Sequence, residues 1–204
     1  DERIYPASMT KIMTALLTIE NLPDLNETIT VPEDIFEELT AQDASVAGFN
    51  PYEQPTVRDL LYGVLLPSGA DACETLARAV GGSEEGFVAM MNQKAEELGL
   101  TNTHFENCTG LHNDNHYSTC RDIAVLMSEC LKSDTFREIV TREVYTTEAT
   151  ASHPEGITLY DTMLHRFTSY EMSTTLENGA VIEGGKTGFT DEAGQCLVSF
   201  AEYG

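Results

Sequence analysis

Tyr5-Pro6-Ala7-Ser8-Met9-Thr10-Lys11-Ile12-Met13-Thr14-Ala15-Leu16-Leu17 passes from turn chemistry into apolar residues at helical spacing. Ile12, Met13, Leu16, Leu17 and Ile19 define a stripe, so a mostly buried helix begins here. Ser8 and Lys11 fall at i and i+3 near its start and share one face. A hydroxyl beside an amine is a nucleophile beside a candidate base, and a largely apolar helix is where desolvation lowers a lysine pKa into working range. The plainer reading leaves Ser8 as a helix cap and Lys11 pointing to water. Ser-x-x-Lys alone does not separate the two, so the rest of the chain must.

Outward from that helix, Asn21-Leu22-Pro23-Asp24 is turn chemistry and ends it near Glu20. Glu27 to Val31 alternates and reads as a short strand, and residues 32–55, acidic and weakly periodic, read as irregular surface chain. Thr56 is an N-cap for a helix through Leu66, broken by Pro67-Ser68-Gly69. Ala70 to Val80 is a further helix that stops at Gly81-Gly82, and another runs from Ser83 to Leu98 with Gly99 as its C-terminal cap. Thr103 to Glu106 reads as extended, and residues 107–118 form a loop rich in Asn, Gly and His, long enough to suspect function. Ser118-Thr119 caps a helix through Leu131, and a shorter helix spans Thr135 to Val140. Val144–Thr147 and Gly156–Leu159 read as strands, and Val181–Thr187 with Gln195–Tyr203 reads as a hairpin. Helices followed by strands give an α+β arrangement, taken as one domain over residues 1–204.

The composition narrows the partners. The 204 residues carry 34 acidic against 11 basic side chains, a net charge of −23, which argues against nucleic acid or an anionic membrane surface. No apolar run approaches the ~20 residues of a membrane span. Only four lysines exist, Lys11, Lys94, Lys132 and Lys186, so each marks a place where positive charge is wanted. The five cysteines, Cys73, Cys108, Cys120, Cys130 and Cys196, are an odd number with no metal-ligand spacing, so neither zinc nor a disulfide framework is expected. Cys73, Cys130 and Cys196 sit in apolar surroundings and read as small core residues.

Three pieces then line up in order: Ser8-x-x-Lys11, Ser68-Gly69-Ala70 and Lys186-Thr187-Gly188. Each has a job in acyl transfer. Ser8 attacks a carbonyl, Lys11 takes its proton, Ser68 relays that proton from a loop between two helices, and Lys186 on a strand edge holds an anionic group. Two nearby cations also lower each other's pKa.

With these pieces the chain resembles the penicillin-recognising serine enzymes and, among them, the D-alanyl-D-alanine carboxypeptidases, the low-molecular-weight penicillin-binding proteins. The resemblance rests on Tyr5-Pro-Ala-Ser-Met-Thr-Lys11, Leu65-Leu-Pro-Ser-Gly-Ala-Asp-Ala72, Phe105-Glu-Asn-Cys-Thr-Gly-Leu111, His116-Tyr-Ser-Thr119 with Asp122, and Gly184-Gly-Lys-Thr-Gly-Phe-Thr-Asp-Glu-Ala-Gly194. It implies a β-lactamase/transpeptidase-like fold, a helical lobe against an antiparallel sheet. It also implies that strands before Ser8, and a strand and helix after the Lys-Thr-Gly strand, lie outside this chain, which is then truncated at both ends.

The resemblance further implies a serine-type carboxypeptidase trimming peptidoglycan stem peptides that end in D-Ala-D-Ala, inhibited by β-lactams, with no cofactor and no metal. Ser8 and Phe189 would supply the oxyanion-hole N–H groups, and Lys186, Thr187 and Gly188 would bind the substrate and its terminal carboxylate. Cell-wall and cell-shape roles imply export to the periplasmic or extracellular face of the cytoplasmic membrane, with membrane contact only through a C-terminal segment not present here. The family's second motif usually ends in Asn, whereas position 70 is Ala. Asp71 is the nearest polar substitute, though a helix start explains its carboxylate more simply.

His116 is read as a loop-holding residue rather than a proton-transfer group, and His104, His112, His153 and His165 likewise. Cys73 and Cys108 have no evident base and are not read as nucleophiles. Two rival functions remain open. A class A β-lactamase-like hydrolase needs a Glu-x-x-Leu-Asn element; the nearest fragment, Leu176-Glu177-Asn178, has the wrong order. A non-catalytic penicillin-binding sensor module has Ala70 as its main support.

Overall fold

The computed structural model describes residues 2–203. Its axis is the element read first. A 3-10 turn at Ala7–Thr10 leads directly into α1 (Lys11–Asn21), and every residue of α1 from Lys11 to Thr18 is buried. Ser8 is therefore not a side-chain cap but part of the entering turn, and no side chain caps either element.

A helix buried on every side over its first eight residues must be surrounded. Around α1 pack α3 (Val57–Leu65), α4 (Ala70–Gly81), α5 (Glu84–Glu97), α6 (Cys120–Cys130) and α7 (Asp134–Val140). Their inward faces, including Leu60, Leu61, Leu76, Phe87, Met91, Leu126 and Phe136, form one continuous core with Ile12, Met13 and Leu16. The starts of these helices follow the cap chemistry. Thr56 and Asp59 form a reciprocal capping box, Ser83 accepts from Gly86 N–H at 3.1 Å, Thr119 accepts from Asp122 N–H at 3.1 Å, and Ser133 accepts from Phe136 N–H at 3.3 Å.

Three expectations are corrected. Residues 27–31 form no strand; they lie against 53–57 through scattered backbone bonds, with a single bridge between Thr28 and Thr56. Residues 32–55 are not loose surface chain. They contain α2 (Ile35–Ala41), and Val31, Ile35, Leu39, Ala47 and Phe49 enter the core. One buried pair at i and i+4 is too little periodicity to read from sequence, and long-range packing decides the segment. The stretch at 103–106 is likewise no strand, holding only a bridge between His104 and Tyr117.

After α7 come β1 (Val144–Thr146) and β2 (Thr158–Tyr160), paired antiparallel, then α8 (Leu164–Ser169), an element the sequence reading lacked. β3 (Val181–Thr190) and β4 (Gly194–Glu202) form the expected hairpin, with Lys186 opposite Val198 and Thr187 opposite Leu197. The hairpin packs against the 3-10 turn, α6 and α7, so a helical lobe lies on an antiparallel sheet. That packing brings β3 to the start of α1.

Candidate active site

Lys11 and Thr14 of α1, with Thr10 of the preceding 3-10 turn, reach one loop. Lys11 Nζ donates to Thr109 O at 2.6 Å, Thr14 Oγ1 donates to Cys108 O at 2.6 Å, and Thr10 Oγ1 bonds His116 Nε2 at 2.8 Å. The 107–118 loop is thus fastened along one face of the helix. Gly110 closes the fit: its φ is +86°, and a Cβ there would lie 1.9 Å from Ala7 O. β3 also comes close, since a Cβ on Gly188 would lie 2.9 Å from Ser8 N and 3.2 Å from Pro6 O. Loop and strand therefore both press against the backbone that carries Ser8.

Within that frame Lys11 Nζ lies 3.2 Å from Ser8 Oγ, the pairing that the i, i+3 spacing anticipates. Ser8 is half-buried while Lys11 is 3% exposed. Burial pushes the Lys11 pKa down, opposed more weakly by Cys73, Cys108, Asp71 and Glu74. Lys186 on β3 is 1% exposed, and its Nζ donates to Thr187 O at 3.0 Å. Burial first, and then the charge of Lys11, bring the Lys186 pKa down to about 7. Lys11 thus acts on Lys186, and desolvation leads in both. Cys73 faces both lysines, and burial holds its thiol up at about 12, so it is neutral packing.

Ser68 sits between α3 and α4 with a φ of +67°, a conformation rare for a non-glycine residue. Its Oγ is the one buried side-chain polar atom without a hydrogen-bond partner among the described residues, so it bonds neither Ser8 nor Lys11. A strained backbone and an unsatisfied hydroxyl together are what a site poised for a ligand shows. The strain is held by Gly69 N–H donating to Gly63 O at 2.8 Å and Ala70 N–H to Ser45 O at 2.7 Å. The Ala70 side chain lies in the core. Asp71 does not take its place: its carboxylate accepts from the N–H groups of Ala47, Gly48 and Phe49 at 2.7, 2.9 and 3.0 Å. Asp71 does lie in the first turn of α4, as the helix-start reading has it, and its carboxylate holds the 47–49 segment in addition.

Thr187 is half-buried with its Oγ1 2.5 Å from Thr162 Oγ1, and Phe189 is exposed opposite Gln195. His116 is 2% exposed, and burial takes its pKa down to about 4. Glu106 N–H donates to Nδ1 at 3.2 Å, which leaves Nε2–H to donate to Thr10. These contacts hold the loop to α1. Leu176-Glu177-Asn178 lies in a turn ahead of β3, with Glu177 exposed.

Sequence reasoning quoted Thr109 only as part of the Phe105–Leu111 stretch and gave no role to its carbonyl, which holds Lys11; it missed Asp161 and Thr162 behind β3, which belong to no motif and which no local pattern marks. It also placed Cys196 in the core, whereas it is half-buried on β4 among the carbonyls of Tyr5, Ala193 and Gly194. The described cysteines are all free. Among the described residues, Glu74, Glu84 and Cys108 have donor atoms within 4.8 Å of one another that could hold a metal. They are already engaged: Cys108 Sγ donates to Glu74 at 3.3 Å and Cys108 N–H to Glu84 at 3.2 Å, and burial raises Glu74 to about 8.

A family model described as D-alanyl-D-alanine carboxypeptidase matches residues 1–204. The D-alanyl-D-alanine carboxypeptidase DacF of Bacillus subtilis is 36% identical over 205 residues, covering 100% of this chain and 49% of its own. A D-alanyl-D-alanine carboxypeptidase of Streptomyces sp. strain K15 is 36% identical over 212 residues, covering 100% and 70%. The solved Streptomyces K15 DD-transpeptidase superposes with a TM-score of 0.86 at 35% identity, over 100% of this chain and 78% of that one. The chain spans about half the length of DacF.

Proposed function

The chain belongs to the D-alanyl-D-alanine carboxypeptidase family, and from that premise we propose that residues 1–204 form one catalytic domain that cleaves peptides ending in D-Ala-D-Ala through an acyl-enzyme on Ser8. The observation that carries the reading is the 3.2 Å approach of Lys11 Nζ to Ser8 Oγ in a buried setting beside β3. Burial favours the neutral amine, and a neutral amine in reach of a hydroxyl is a general base.

In the proposed mechanism Lys11 takes the Ser8 proton as Oγ attacks the penultimate D-Ala carbonyl. The N–H groups of Ser8 and Phe189 stabilise the oxyanion, an interaction that counts most where water is excluded. The carbon–nitrogen bond breaks, the leaving D-Ala amine receives a proton relayed through Ser68, and an ester to Ser8 remains. Water, deprotonated by the same base, hydrolyses that ester and restores Ser8. Lys186 with Thr187 binds the terminal carboxylate, and Gly188 lets this binding edge lie against the backbone of Ser8. A β-lactam follows the first half, its ring amide opening onto Ser8 while the leaving nitrogen stays tethered.

Peptidoglycan lies outside the cytoplasmic membrane, so this reading places the enzyme there. Among the described residues no helix is long and apolar enough to cross a membrane. Intact-protein mass spectrometry after incubation with benzylpenicillin tests the assignment. One penicilloyl adduct on the wild type and none on a folded Ser8→Ala variant is the expected result; an adduct that survives in Ser8→Ala overturns it. Ala70 favours a second reading, a sensor that acylates without useful turnover. Release of D-Ala from a D-Ala-D-Ala peptide excludes that reading.

A further inference from the structure

Asp161 follows β2 and is 2% exposed. Its Oδ1 accepts the N–H groups of Met163 at 2.8 Å and Leu164 at 2.6 Å, and its own N–H donates to Glu143 O at 2.8 Å. The tight turn so built stands against β3. Thr162 N–H donates to Leu66 O at 3.2 Å, and Thr162 Oγ1 meets Thr187 Oγ1 at 2.5 Å. Met163 Sδ lies 3.1 Å from where a Cβ on Gly185 would sit. One turn thus touches the residues on both sides of Lys186.

Building this turn does not require a charge, because the amide oxygen of Asn could accept the same two N–H groups. A buried carboxylate carries a desolvation cost, offset here first by the Leu164 and Met163 N–H groups and then by the positive charge of Lys186. The groups that act on Lys186 from its neighbours are Lys11 of α1, Cys73 of α4 and Asp161. Lys11 opposes its proton and Cys73 is a neutral thiol, so Asp161 is the carboxylate that supports it. Asp161 in turn faces Lys186 and Glu143, and the Glu143 carboxylate is bonded to His165 at 3.3 Å.

We propose that Asp161 is a positioning residue for substrate binding: its turn sets Thr187 through Thr162, and its charge keeps Lys186 protonated to receive the anionic end of the substrate. The proposal rests on the acyl-transfer reading above for its consequence, but the state of Lys186 can be measured without it. Asp161 itself is raised to about 6 by burial, against the Met163 and Leu164 N–H groups and Lys186, which lower it. It is therefore ionised at neutral pH, where its support of a lysine titrating near 7 counts most.

The test compares wild type, Asp161→Asn and Asp161→Ala. Selective 13C labelling of lysine at Cε gives only four residues to follow, with Lys186 assigned by Lys186→Arg. In Asp161→Asn, which keeps the acceptor and removes the charge, the Lys186 midpoint moves to lower pH by on the order of one unit. The rate constant for acylation by benzylpenicillin falls at pH 7.5 by up to roughly tenfold, and the difference closes below about pH 6, where the wild-type carboxyl is protonated. An unchanged Lys186 midpoint in a folded Asp161→Asn protein overturns the proposal and leaves Asp161 as a turn former only. Loss of acylation in Asp161→Ala with wild-type behaviour in Asp161→Asn does the same. A wild type that takes no penicillin would refute the acyl-transfer reading, while the lysine titration would still decide the role of Asp161.

Discussion

Lys11 and Lys186 are both almost wholly enclosed, and burial lowers the pKa of both. Their surroundings nevertheless differ. Lys11 reaches a hydroxyl, Ser8 Oγ, and a carbonyl supplied by the 107–118 loop. Lys186 reaches a carbonyl of its own strand and has the Asp161 turn behind it. Desolvation sets the direction for each amine, and the partner within reach sets what the amine can do. A base needs a proton donor beside it, whereas an anion binder needs to keep its own proton.

The strongest way to break this comparison is to remove one lysine at a time. Lys11→Ala should lower the benzylpenicillin acylation rate by at least about 10²-fold with little change in melting temperature; an unaffected rate would mean that Lys11 is not the base. Lys186→Met should weaken acylation by roughly 30-fold or more, the loss expected when a buried partner of a carboxylate is truncated. In the wild type the rate should rise with pH as the lowered Lys11 loses its proton, then fall above about 7 as Lys186 loses its own. The rise should vanish in a variant without Lys11 and the fall in one without Lys186. A profile that loses the wrong limb reverses the two roles.

Smaller effects sharpen the picture by touching the frame around one lysine only. Asp71→Ala leaves the N–H groups of Ala47, Gly48 and Phe49 without their acceptor. It should cost about 3 kcal/mol or more of unfolding free energy in urea titration, and Asp71 acts on Lys11, so any shift in the profile should appear on the Lys11 limb. His116 gives the mildest test. Folded, it titrates at about 4, below the 6.5 of an unperturbed imidazole. The unfolded chain therefore binds that proton first, and stability should fall as pH drops from above 6.5 toward 4, by up to roughly 3 kcal/mol. His116→Gln should flatten that slope while the Lys186 limb stays in place.

Much of this was legible in the chain. The helix starts at Thr56, Ser83 and Thr119 follow local capping chemistry, and the hairpin at 181–202 follows alternation closed by a turn. Ser8 and Lys11 meet because three residues of helical chain place them on one side. Other features had no local signature. α2 is held by core contacts from distant elements, and the 47–49 segment is held by a carboxylate 22 to 24 residues away in sequence. The strain at Ser68 and the empty bonding capacity of its hydroxyl emerge only when 63, 45 and 47 close around the loop.

The sequence by itself determined which chemistry this protein can carry: a hydroxyl and an amine one helical turn apart, a second serine in a helix break, and a lysine on a glycine-rich strand. Spacing along a helix or strand is a local property, and it survives translation into structure. Only the tertiary structure decided how those groups are tuned. Burial of both lysines, the Thr109 carbonyl on Lys11 and the Asp161 turn behind Lys186 arise from segments distant in sequence, 98 residues apart for Lys11 and Thr109 and 25 for Thr162 and Thr187. Desolvation and charge depend on everything packed around a group, and no stretch of chain read alone contains that sum.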